Sequence, residues 1–176
     1  MNRKHTIVLF IIILCTTVFS QEHESEHKNR LGLEVAGTFI PTGSSDENCE
    51  DCSDNKEGIL VPTIGLEYVR SINDVWAIGG LVELELDHYI ILDEDLERHN
   101  ALIIAVFAMY KILPQWFISA GGGIELEDHK NLGVIRLGTG YEFHLGDGWD
   151  IAPVFAFYHK IEFNSFSLAL SIGKSI

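Results

Sequence analysis

Carboxylates outnumber lysine and arginine side chains by 26 to 12 in this sequence, and several occupy alternating positions within apolar segments. The acidic set comprises Glu34, Glu67, Glu83, Glu85, Glu125, Glu142 and Asp150, and the basic side chains on the same side of the alternation are Arg136, Lys174 and His144. A carboxylate that leaves water needs a cationic partner or a proton. The spacing therefore predicts a charge network that the fold encloses.

Arg136 is predicted to be the hub of this network, because a planar guanidinium can bind two carboxylates at once. If these side chains share the interior of a small barrel, they would fill it as a plug. A second interpretation is that the surplus carboxylates bind a hydrated cation, since hard cations prefer oxygen ligands. A continuous ion pathway is less favoured, because so small a barrel leaves little room for one.

Acidic residues also concentrate in two segments between the apolar ones. Residues 44–57 carry Asp46, Glu47, Glu50, Asp51, Asp54 and Glu57 around Cys49 and Cys52, and residues 93–97 carry Asp93, Glu94, Asp95 and Glu97. This composition is typical of solvated loops, whose carboxylates could bind divalent cations. In an exported protein the two cysteines are predicted to form a local disulfide. A zinc site there would need two further ligands.

His159, Glu162 and Ser165 lie close together in sequence and are the residue types of a base, an acid and a nucleophile. No recognisable enzyme motif surrounds them. The sequence therefore predicts neither catalysis nor a cofactor.

The segments that must position these groups have apolar residues at every second position, which indicates β-strands with two unlike faces. The pattern covers residues 31–40, 59–70, 75–87, 100–111, 116–127, 131–145, 149–159 and 163–174. Large apolar residues occupy one face, and small or charged residues occupy the other. The predicted fold is an all-β, eight-stranded antiparallel up-and-down barrel.

Aromatic residues indicate which face of this barrel is outside. Trp76, Trp116 and Trp149 each open a strand just after a short turn, and Tyr68, Tyr110 and Phe143 precede those turns. Together they would form an aromatic girdle at one end of the barrel. Tryptophan and tyrosine favour the membrane interface, and such girdles mark membrane barrels. We therefore expect the large apolar face to contact lipid and the small, charged face to line the lumen.

A resemblance to known families is based on the eight strands, the girdle and stretches such as residues 140–149 (GYEFHLGDGW). The chain resembles the small outer-membrane barrel families of the OmpA, OmpX and OmpW type across residues 31–176. The resemblance implies a transmembrane barrel in the outer membrane of a Gram-negative bacterium. The short connections near 71–74, 112–115 and 146–148 would then be periplasmic. The longer or more acidic ones at 41–58, 88–99 and 127–131, and a shorter one near 160–162, would face outward.

The first twenty residues are predicted to be a cleaved signal peptide. Arg3 and Lys4 precede an apolar run from Ile7 to Leu14, and the small residue Ser20 precedes Gln21, an order typical of secretion. Residues 21–30 would form a short periplasmic tail, and residues 31–176 would form the barrel. Cleavage leaves ten bases against 26 acids, a formal charge of −16. This balance argues against nucleic acid as a partner.

The sequence thus predicts a monomeric, non-enzymatic outer-membrane barrel with a structural or surface-interaction role. Its predicted partners are outer-membrane lipid and, at the acidic loops, a surface ligand or divalent cations. Two alternatives stay open. A soluble lipocalin-like barrel would enclose the apolar face around an apolar ligand, and a narrow pore would conduct through the lumen.

Overall fold

Antiparallel β-strands account for most of the described chain. The computed structural model describes residues 29–41, 58–91, 96–127 and 130–176. Its strands are β1 (Asn29–Pro41), β2 (Gly58–Ser71), β3 (Trp76–Glu85), β4 (His88–Ile91), β5 (Leu96–His99), β6 (Leu102–Lys111), β7 (Trp116–Leu126), β8 (Leu132–Tyr141), β9 (Phe143–Gly146), β10 (Trp149–Lys160) and β11 (Asn164–Ser175). Within those ranges no helix is long and apolar enough to cross a membrane.

Several sequence predictions fall outside the described residues. They are the signal peptide, the tail up to residue 28, the pairing of Cys49 with Cys52 and the acidic residues of 44–57 and 93–95. These stay predictions.

Eight strands of the described chain close into one barrel. Hydrogen bonds join them in the order β1, β2, β3, β6, β7, β8, β10 and β11, and β11 pairs again with β1. β9 continues β8 beyond a break at Glu142 and pairs with β10, while β4 and β5 form a separate hairpin between β3 and β6. The predicted all-β, eight-stranded up-and-down barrel is confirmed.

Burial alternates along each strand and shows which face lines the lumen. In β6 the side chains of Ile103, Ala105 and Phe107 are buried, whereas Val106 is 68% exposed. Other exposed positions of the wall are also large and apolar, such as Leu66 and Leu168. The large apolar face is therefore outside. This finding corrects the lipocalin-like alternative, which needs the same face inside.

The barrel has two unlike ends. At the turn end, residues 72–75, 112–115 and 147–148 connect the strands. Asn73 Oδ1 accepts hydrogen bonds from the backbone N–H groups of Val75 and Trp76 at 3.0 and 2.8 Å. Asp147 and Gly148 both have positive φ, 50° and 76°, as the tight hairpin turn that matches strand twist requires. The opposite end, the loop end, carries the connections 42–57, 86–101, 127–131 and 161–163.

Candidate functional site

Charged side chains of the described residues fill the lumen in three groups, and the first lies at the turn end. Arg30 enters the lumen from the start of β1. Its guanidinium donates to Asp150 from Nε at 2.9 Å and from Nη2 at 2.6 Å, and to Glu67 from Nη1 at 2.5 Å. Nη2 also donates to Ser171 Oγ at 3.0 Å. A Cβ at Gly173 would lie 2.3 Å from the guanidinium, so a larger residue there would displace Arg30 from its present position.

A second cation, Lys111, lies near Arg30 at the turn end. Lys111 Nζ donates to Glu142 Oε2 at 2.9 Å. The Lys111 side chain is 27% exposed and that of Arg30 is 12% exposed. These five charged residues at the turn end, together with Ser171, form the turn-end cluster, which retains contact with water: Arg30, Glu67, Asp150, Lys111 and Glu142.

Arg136 lies in the middle of the lumen. It donates from Nε to Tyr158 Oη at 3.1 Å and from Nη1 to Ser119 Oγ at 3.0 Å. The Tyr158 hydroxyl donates in turn to the Glu83 carboxylate at 2.7 Å. The guanidinium also lies 5.3 Å from the ring centroid of Phe107, within cation–π range. Tyr158 therefore links Arg136 to Glu83 indirectly.

The loop-end cluster consists of Lys160, Glu85, Glu125 and Arg98. Lys160 Nζ lies 2.9 Å from Glu85 Oε1 and 2.5 Å from Glu125 Oε2, and Arg98 Nε lies 3.2 Å from Glu125 Oε1. All four side chains are 0 to 1% exposed. Charges removed from water to this extent are stable only when they are paired. The cluster therefore depends on each of its members.

The loop end of the lumen is closed by side chains. Ile40, Val61, Leu132 and Phe163 form a buried apolar cluster at this mouth. Lys160 Nζ lies 4.6 Å from the ring centroid of Phe163. Arg98 reaches the same mouth from β5 and donates to the backbone carbonyl of Lys130. The β4–β5 hairpin is thus anchored to the barrel through a buried charge.

Glu34 differs from the other lumen carboxylates. It is 1% exposed, and neither of its oxygens has a hydrogen-bond partner among the described residues. Gly65 on β2 pairs with Glu34 on one side and with Glu83 on the other. Glu34 and Glu83 therefore flank a position that has no side chain. No group of three or more His, Cys, Asp or Glu side chains in the described ranges is arranged to hold a metal ion.

The structure places most of the predicted network residues in the lumen. Those with buried side chains are Glu34, Glu67, Glu83, Glu85, Glu125, Glu142, Asp150 and Arg136. Two corrections apply. Lys174 lies on the outer wall, where Nζ is 5.2 Å from the ring centroid of Trp149, and His144 is exposed in β9. The role predicted for Arg136, binding two carboxylates, is taken by Arg30.

Four basic residues of the lumen escaped the sequence prediction. Lys111 and Lys160 alternate in step with lumen residues of their own strands, so the strand pattern contained the signal. Arg30 was missed because the first strand begins at Asn29 rather than at residue 31. Arg98 follows an acidic segment outside the barrel strands, and nothing in the sequence pattern indicates that it returns to the lumen.

The residues considered for catalysis do not converge. The His159 side chain is exposed, and its Nδ1 donates one hydrogen bond to Asn164 Oδ1 at 2.8 Å. Ser165 is fully buried on the other face of the wall, and Glu162 pairs with Lys130. A nucleophile must lie within hydrogen-bonding reach of its base. These three residues therefore do not form a catalytic group.

The predicted girdle lies on the outer wall at the turn end. Its members are Trp76, Trp116, Trp149, Tyr68, Tyr110 and Phe143, and the exposed fractions of Trp76, Trp116, Trp149, Tyr110 and Phe143 run from 37 to 50%. Trp76 and Tyr110 are in contact, with ring centroids 4.9 Å apart. Trp116 Nε1 donates to Thr139 Oγ1 at 2.8 Å, and the Tyr68 hydroxyl donates to Asn29 Oδ1 at 2.9 Å. Trp116 and Tyr68 thus hold their polar atoms in hydrogen bonds at the outer wall.

An apolar outer wall around a charged, filled lumen defines a transmembrane β-barrel, and solved structures of that class are similar to it. Ail, the attachment invasion locus protein of Yersinia pestis, in complex with the heparin analogue sucrose octasulfate, is 11% identical with a TM-score of 0.52, covering 83% of this chain and 96% of Ail. Neisserial surface protein A is 10% identical with a TM-score of 0.52, covering 85% of this chain and 97% of that protein.

The N-terminal β-barrel domain of Pseudomonas aeruginosa OprF is 11% identical with a TM-score of 0.51, covering 84% of this chain and 97% of the domain. No protein-family model and no curated protein matches the sequence. The likenesses therefore show a fold. This chain has the fold of the small eight-stranded outer-membrane β-barrels.

Proposed function

We propose that this protein is a small barrel of the outer membrane of a Gram-negative bacterium with a structural and surface-interaction role. The turn end would face the periplasm, and the loop end would face outward. The outer wall supports this placement, because it exposes large apolar side chains such as Leu66, Val106 and Leu168. In water, an apolar surface of this extent would mark a site of association.

The filled lumen carries the argument for a surface role. Arg98, Arg136 and Lys160 are among the largest fully buried side chains, and an apolar cluster closes the loop-end mouth. This packing does not favour the narrow-pore alternative. Binding would then occur on the loops rather than through the barrel.

Charge indicates what those loops would bind. Residues 44–57 carry six acids and one lysine, Lys56. Ail was solved with sucrose octasulfate, a polyanion, whereas loops of this composition would repel a polyanion. We therefore assign the loops a cationic surface as partner, bound directly or through divalent cations that the carboxylates hold.

The test uses cells of a Gram-negative host that express the full chain. Membranes are fractionated first, and heat-modifiable migration on a gel verifies the folded barrel. Binding of the cells to immobilised polylysine and to immobilised heparin is then compared. The matched variants are Asp→Asn and Glu→Gln at Asp46, Glu47, Glu50, Asp51 and Asp54 together, and Asp74→Asn at the turn end as control.

We expect polylysine binding to fall to the level of empty cells in the loop variant and to persist in Asp74→Asn. A chelator would reduce binding only if divalent cations bridge the contact. Binding to heparin instead of polylysine, or equal binding by the loop variant, would contradict the assigned partner. A protein found soluble in the periplasm would contradict the membrane placement itself.

A further inference from the structure

A groove interrupts the apolar outer wall on strands β2, β3, β6 and β7. It has a volume of about 540 Å³, and Tyr68, Ile78, Val106, Ala108, Ala120 and Gly122 are among its lining residues. Elsewhere the wall consists mainly of leucine, isoleucine, valine and phenylalanine. Here the register pairs Ala108 with Ala120 and Val106 with Gly122, so small residues on β6 and β7 form part of the floor.

One cationic residue belongs to this groove. Arg70 lines it from β2, one residue before the strand ends at Ser71. Its side chain is exposed, and it has no hydrogen bond or ion pair with another described residue. The cation therefore stands at the turn-end limit of an apolar groove, near the aromatic girdle. An anionic group joined to an apolar chain would match both features.

We infer that this groove binds one anionic phospholipid of the periplasmic leaflet, with its phosphate on Arg70 and an acyl chain along the floor of small residues. The guanidinium fork suits a phosphate, because two N–H groups can donate to it in parallel. The inference rests on the proposed membrane placement, which puts the turn end at the periplasmic interface.

Lys174 is a matched control for Arg70, because it is a cation that lies outside the groove. It is exposed at the same end of the barrel, but it lies over Trp149 on β10 and β11. A general attraction of basic residues for anionic lipid would involve Lys174 as much as Arg70. A specific lipid site would involve Arg70 and not Lys174, together with the shape of the groove.

The experiment measures retained lipid by native mass spectrometry of the full-length protein, extracted from membranes in mild detergent and titrated with phosphatidylglycerol or phosphatidylcholine. The variants are Arg70→Gln, Arg70→Lys, Lys174→Gln and the groove-filling pair Ala108→Leu with Ala120→Leu. Heat-modifiable migration is recorded for each, so that a failed barrel is recognised separately from a failed lipid site.

We expect a preference for phosphatidylglycerol that Arg70→Gln weakens about tenfold, the scale of one charged hydrogen-bonding group. The groove-filling pair should lose the lipid, Arg70→Lys should retain part of the affinity, and Lys174→Gln should match the wild type. Equal losses at Lys174 and Arg70, or undiminished binding in the filled groove, would overturn the inference. Dimers that the filling pair abolishes would overturn it in favour of a second copy of this chain.

Discussion

The turn-end cluster and the loop-end cluster use the same chemistry in different surroundings. At the turn end, Lys111 is 27% exposed and Arg30 is 12% exposed, so water reaches the ion pairs. At the loop end, Lys160 and Arg98 are 0% exposed beneath apolar side chains. Water can solvate a charge that loses its partner only at the turn end. The same substitution should therefore cost far more free energy of unfolding at the loop end.

The largest effect is expected from Lys160→Met, which leaves Glu85 and Glu125 facing each other without their shared cation. Removing one partner of a buried ion pair costs about 3–5 kcal/mol. The measurement is urea unfolding in phospholipid vesicles, followed by tryptophan fluorescence. The double variant Lys160→Met with Glu85→Gln should recover part of the loss, because the remaining carboxylate of Glu125 still pairs with Arg98. A cost below about 1 kcal/mol for the single variant would break the distinction between the two ends.

A charge placed on the outer wall tests separately whether that face is shielded from water. Ile104 lies on the outward face of β6 between the two ends, so Ile104→Arg should cost about 2–4 kcal/mol near the midplane of the bilayer. Leu31→Arg, an outward position at the girdle level beside Tyr68, is the matched control and should cost about 0–1 kcal/mol. Equal costs measured in the same unfolding assay would argue against a lipid-facing wall.

Arg30→Met should have an intermediate effect on the free energy of unfolding. It removes hydrogen bonds to two carboxylates, each worth about 1.5–3 kcal/mol when the partner is charged. Residual water at the turn end would offset part of this loss. A cost that equals or exceeds that of Lys160→Met would show that Arg30, rather than the loop end, dominates the network.

The smallest effect is expected from Lys111→Met. Its ion pair with Glu142 is the most exposed in the lumen strands, and such pairs contribute about 0–1 kcal/mol. Added salt should weaken even this contribution, because exposed charges are screened. A loss of unfolding free energy above about 2 kcal/mol that does not change with salt would contradict the access of water to the turn end.

Alternation predicted the barrel because it is a local property of each strand. A residue and its second neighbour share a face whatever the remote contacts are, so Val106 and Ile104 could be placed together before the fold was known. The same rule places Lys160 in step with Tyr158 in the lumen, and Lys174 in step with Ile172 on the outer wall. The error at Lys174 came from weighing its charge above its register.

Contacts between distant strands could not be predicted in this way. The binding of Asp150 and Glu67 by Arg30 depends on how β1, β2, β10 and β11 meet around the closed barrel. The return of Arg98 to Glu125 depends on the path of the β4–β5 hairpin. Tyr158 replaces a carboxylate as the partner of Arg136 only because the lumen brings the two side chains together. Sequence alternation assigns a face to a residue, but it does not assign its partner.

The apolar face of the wall meets lipid, and the charged face lines a filled lumen. A cysteine scan of residues 102–110 in β6 tests this arrangement directly. Each variant carries a spin label in phospholipid vesicles, in a background with Cys49 and Cys52 replaced by serine. We predict that the even-numbered positions 104, 106 and 108 are accessible to oxygen dissolved in lipid, and that the odd-numbered positions 103, 105 and 107 are protected. Protection of the even positions, with the odd ones accessible to a water-soluble relaxation agent, would contradict the account.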